Sequence, residues 1–129
     1  MATAKSFEDL EIWKQAFELY KRLKPILKQL QDSHHFEIKN QLERSAGSVM
    51  DNIAEGFERD GNREFIQFLS ISKGSLGEVR SQLYRSQECL EFENISMDEH
   101  LEFCRNLSGK ISNFIKYLRD SDIRGRKFA

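Results

Sequence analysis

The chain has 129 residues, 39% apolar and 32% charged, with a formal net charge of −1. That length fits one domain with a real hydrophobic core. One proline and seven glycines are too few for the turns a barrel or sandwich needs. The balanced charge excludes a strong global field towards nucleic acid or membrane.

The first helical pattern runs from about Asp9 to Leu30. Its apolar residues include Leu10, Trp13, Phe17, Tyr20 and Leu27, and also Ile12, Ala16, Leu19, Leu23, Ile26 and Leu30. At helical spacing these cover roughly 200° of the circumference, too wide for one seam. Pro25 lacks an N–H, so a kink or break is predicted near Lys24. The second pattern starts after an Asp32-Ser33 capping signal and reaches about Phe57, with Leu42, Ala46, Val49 and Ile53 as its stripe. Gly56 sits near its end, where helices often stop. The short loop Glu58 to Asn62 predicts an antiparallel return.

The third pattern spans about Arg63 to Phe92, with Phe65, Phe68, Leu69, Ser72, Leu76, Val79, Leu83 and Leu90 as its core stripe. The fourth runs from Ser96 or Met97 to Arg119, where Ser96 and Glu99 form a capping box. Leu101, Cys104, Ile111, Phe114, Ile115 and Leu118 supply its stripe. The expected architecture is all-α: an antiparallel up-down four-helix bundle over residues 1–120, followed by a basic, mobile tail over 121–129.

No Glu is followed three residues later by His, and no HExxH or GxxxxGK[ST] occurs. Cys89 and Cys104 lack metal-site spacing and read as reduced, packed thiols. His34, His35 and His100 read as solvated. The reading assigns no catalytic residue, no metal ligand and no cofactor. The carboxylates Glu55, Glu64 and Glu78 are what an enzymatic alternative would use. No apolar run approaches the ~20 residues of a membrane span, and no signal-peptide core precedes the first helix. The expected compartment is the cytoplasm.

Three polar features exceed what a bundle needs. Gln41, Arg44, Ser48, Asn52 and Glu55 form one polar face on the second helix. Glu64, Ile71, Ser75, Glu78 and Gln82 form a mostly polar face on the third. Together they predict a hydrogen-bonded network across a helix or subunit interface, with Arg44 and Arg80 as forked donors. Ser70, Gly74, Gly77 and Ser81 make a small-residue ridge on the third helix. Interior glycine costs ~1 kcal/mol in a helix, so close packing of a helix, from this or another subunit, is expected there. Finally, Lys14, Lys21, Arg22, Lys24 and Lys28 cluster on the first helix, and Arg119, Arg124, Arg126 and Lys127 near the C-terminus. They are the candidates for a phosphate-driven contact with RNA.

Four ordered blocks carry a family resemblance. They are Phe7-x-x-Leu10-x-x-Trp13-x-x-Ala16, then Gln41-x-x-Arg44-x-x-x-Ser48, then Asn52-Ile53-Ala54-Glu55-Gly56. The last is Glu64-Phe65-x-x-Phe68-Leu69 followed by Gly74-Ser75-x-x-Glu78. From Phe7 to Arg119 the chain resembles the bacterial four-helix-bundle proteins encoded within intervening sequences of 23S ribosomal RNA genes. The resemblance implies an up-down bundle, a ring-like homo-oligomer, most often a pentamer, and no established enzymatic activity. A similar bundle is the basic accessory protein of diversity-generating retroelements, which works with a reverse transcriptase and RNA. The chain departs from that type in its net charge, and from many relatives at Met50-Asp51. The function expected is a non-enzymatic interaction scaffold, with RNA or an RNA-processing protein as partner. The alternative is an RNA-binding accessory factor acting through the basic clusters.

Overall fold

A computed structural model describes the backbone of residues 4–128 and the side chains of residues 4–121. Phe7–Asp9 forms a 3₁₀ turn, closed by Asp9 Oδ2 accepting from the backbone N–H groups of Lys5 and Ser6 at 3.1 and 3.3 Å. Five α-helices follow: α1 Glu11–Arg22, α2 Lys24–Asp32, α3 Phe36–Glu58, α4 Asn62–Cys89 and α5 Met97–Phe128.

The first pattern is broken at Leu23, as the proline predicts. Pro25 falls in the first turn of α2, where a missing N–H costs nothing. Leu23 keeps right-handed geometry, and its own N–H still reaches the Leu19 carbonyl at 3.1 Å. So α1 and α2 act as one bent rod.

Asp32 and Ser33 do not start the second long helix; they end α2. Ser33 is its C-cap and His34 follows with φ 65°. His35 N–H donates to the Leu30 carbonyl at 2.9 Å, and His34 N–H to Gln31 at 3.1 Å. These two bonds make a Schellman stop, a place where glycine is favoured because it has no Cβ. His34→Gly is expected to raise stability by about 1 kcal/mol, read as a higher urea midpoint. An unchanged or lower midpoint would show that the imidazole contributes more than the left-handed backbone costs.

The rods form a closed ring. α3 packs on α1, α2 and α4, while α5 packs on α4 and α1. At one end Asn62 Nδ2 donates to the Leu118 carbonyl at 3.2 Å. At the other, Gln29 exchanges two 2.9 Å bonds with the Glu93 backbone. These pairings fix the antiparallel up-down order. His100 places Nδ1 2.8 Å from the Ser96 carbonyl and Nε2 3.0 Å from that of Arg22. It therefore ties the start of α5 to the end of α1 instead of sitting free in solvent. The Ser96 cap holds, accepting from Glu99 N–H at 3.3 Å.

The predicted stripes supply the core, except that Phe68 and Leu90 are only partly buried. Leu42, Val49, Ile53, Leu69, Leu76, Leu83, Leu107 and Ile111 are fully buried. Each such side chain contributes ~1.5–3 kcal/mol by leaving water. Helix α5 runs to Phe128, past the end expected at Arg119. Cys104 is buried, but Cys89 is exposed at the end of α4 and is not a packed thiol. Among the described residues no helix is long and apolar enough to cross a membrane.

Candidate functional site

The two predicted polar faces meet at the α3–α4 seam. Ser48 Oγ and Ser75 Oγ lie 2.9 Å apart. Asn52 Nδ2 donates to the Ser48 carbonyl at 2.8 Å and to its hydroxyl at 2.9 Å. Below them Ser72 Oγ donates to the Val49 carbonyl at 2.6 Å. Ser48, Asn52 and Ser75 thus bond to one another within one chain, while among the described residues Arg44, Arg80, Glu55 and Glu78 take no part in these bonds. Buried hydroxyls stay only where they find partners, so these bonds fix the register of α3 against α4.

Next to the network is a groove of about 430 Å³, lined by Gln41, Arg44, Ser45, Glu78, Gln82 and Arg85 among others. Arg85 Nη1 donates to Gln41 Oε1 at 3.2 Å. Arg44 and Glu78 share the groove, but neither makes an ion pair among the described residues. Arg80 is not on this face. Glu55 and Glu64 belong to a separate cluster, where Arg59 reaches them at 2.8 and 3.7 Å. Arg59 also stacks 5.0 Å from the Phe68 ring. The sequence reading missed Arg59; its position four residues after Glu55 was the available signal.

The family model of the 23S rRNA-intervening sequence protein matches residues 8–113. The chain belongs to that family. No curated protein and no solved structure matches it significantly.

In this member of the 23S rRNA-intervening sequence protein family, close helix packing occurs at Gly56. A Cβ there would lie 2.8 Å from Phe68 Cβ and 2.9 Å from Phe65 Cδ1. Gly56 is therefore buried inside α3 because α4 leaves no room, not because the helix stops there. Among the described residues the expected packing at Gly74 and Gly77 is absent: a Cβ at either meets nothing within 4 Å. Ser70 and Ser81 are exposed with them.

The basic cluster of the first helix is largely neutralised. Glu18 takes Arg22 at 3.0 Å and Lys21 at 3.6 Å, and Asp32 takes Lys28 at 2.9 Å. The Arg22 hydrogen bond holds the Glu18 carboxyl below its usual range. Lys14 and Lys24 are exposed. The side chains of Arg124, Arg126 and Lys127 lie outside the described residues.

A row of aromatic rings occupies the outer flank of α1. Phe7 meets Trp13 edge-on at 5.2 Å, and Trp13 meets Phe17 at 5.4 Å. Phe17 remains 38% exposed, under Lys21 Nζ at 4.6 Å. Tyr20 continues the row and faces Gly47 of α3, 3.9 Å from where its Cβ would be. Among the described residues no three His, Cys, Asp or Glu side chains converge as metal ligands would.

Proposed function

We propose that this protein is a non-enzymatic homo-oligomeric scaffold, a ring such as a pentamer, working in the cytoplasm with RNA or an RNA-processing partner. The aromatic row on α1 carries the reading. The first helix is apolar over a wide arc, and the bundle buries only Ile12, Ala16 and Leu19 of α1. Trp13, Phe17 and Tyr20 are left half-covered beside the small Gly47. Partly exposed aromatic rows mark interfaces, because each ring brings a large apolar area and two stiff torsions. A second copy laid along the α1–α3 seam would cover them. The ring form and the RNA-linked partner come from the family resemblance.

Light scattering at micromolar concentration tests the reading. The expected mass is several times 15.2 kDa. Phe17→Glu should reduce it to the single-chain mass with helical circular dichroism unchanged. A wild-type monomer would overturn the scaffold reading.

A further inference from the structure

The α4–α5 seam gathers positive charge from two helices. From Phe103 to Arg119, α5 carries Arg105, Lys110, Lys116 and Arg119 and no acidic residue. From Phe65 to Gln87, the only acid on α4 is Glu78, which faces the α3 groove instead. Between α4 and α5 lies a groove of about 530 Å³ lined by Ser70, Lys73, Gly74, Ser112, Ile115 and Arg119. Among the described residues no carboxylate lines it. Among the described residues neither Lys73 nor Arg119 has an ion-pair partner.

The same seam continues along the helices. Arg80 follows Lys73 by seven residues, roughly 10 Å along α4 and on the same side. Its Nε is buried without a hydrogen-bond partner. Arg105 of α5 reaches Tyr84 of α4 at 3.3 Å, and Glu102 at 3.2 Å. Both Arg80 and Arg105 act on buried Cys104, whose thiol burial pushes up to about 12 while the two cations pull it down. Arg80 is therefore turned partly into the helix packing, and the seam cations open to solvent at the groove are Lys73 and Arg119.

We propose that the α4–α5 seam is a track for consecutive phosphates of a single nucleic-acid strand, held by Lys73 and Arg119; this rests on the RNA partner of the proposed function and gives it a place on the bundle. Lys73 lines the groove from α4 and Arg119 from α5, so the charge is shared between two walls and not focused on one point. A repeating anion fits that arrangement better than a single one. Ser70 and Ser112 add hydroxyl donors. Gly74 keeps the groove open, since nothing lies within 4 Å of its missing Cβ. The small-residue ridge therefore admits a phosphate backbone where a bulky side chain would fill the floor. The site is independent of the oligomer reading, whose interface runs along α1 and α3.

The test is fluorescence anisotropy of the full chain with labelled oligouridylate over a salt series. Lys73→Gln with Arg119→Gln should weaken binding and shallow the salt slope by roughly 1.4, two contacts on a single strand. Lys14→Gln with Lys24→Gln, changing exposed cations of α1 and α2, should leave the slope unchanged. Gly74→Leu should weaken binding while the melting temperature holds or rises, because leucine is the better helix former. Equal losses from the control pair and the seam pair would overturn the assignment. So would a wild-type protein that binds no strand at low salt, or oligomer dissociation by Gly74→Leu, which would make the ridge a subunit contact. Polyglutamate binding as tightly as the oligonucleotide would assign the seam to an acidic protein instead.

Discussion

Gly56→Ala should lower stability by about 1–3 kcal/mol and the melting temperature by on the order of 5–10 °C. The added methyl would sit 2.8 Å from Phe68 Cβ, an atom fixed to the α4 backbone. Phe65 cannot swing aside either. Its ring is held edge-on between Phe57 at 6.0 Å and Phe114 at 5.5 Å. The ends of α3 and α4 would have to separate. Gly74→Ala is the control, since its Cβ meets nothing within 4 Å. It should gain up to ~1 kcal/mol of helix propensity. Thermal unfolding by circular dichroism gives both signs. Gly56→Ala as stable as wild type would rule out the close approach.

Leu76→Ala should cost ~2–5 kcal/mol, the largest loss expected from a single truncation here. Leu76 is 0% exposed at the middle of α4, in a core that also receives α3 and α5. Removing it leaves a cavity that two packed neighbours cannot fill. Ile71, five residues earlier on the same helix, is 52% exposed. Ile71→Ala should stay within about 0.5 kcal/mol. Urea unfolding of the two variants checks the assigned face of α4. Similar losses at both positions would mean that α4 is rotated from the orientation described.

The sequence by itself determined the bundle. The stripes at Leu42 to Ile53 and Leu69 to Leu83 are local periodicities, and a helix buries whichever stripe is apolar. The break before Pro25 and the Ser96 cap were also legible, since each depends on one residue's own backbone chemistry. The stop at Ser33-His34 was not, because a histidine in the left-handed region carries no composition signal. Ser48, Asn52 and Ser75 were recognised as polar surplus, and the fold decided that they bond to each other within one chain. In sequence Gly56 looks like a helix stop and Gly74 like a packing contact. Only the crossing of α3 and α4 makes the first indispensable and leaves the second open. The net charge of −1 hides the basic seam, and within α4 Glu64, Glu78 and Glu88 offset three of the four cations on paper. In space Glu64 goes to Arg59 and Glu78 to the α3 side. The α4–α5 seam keeps its positive charge because a helix distributes neighbouring residues to different faces.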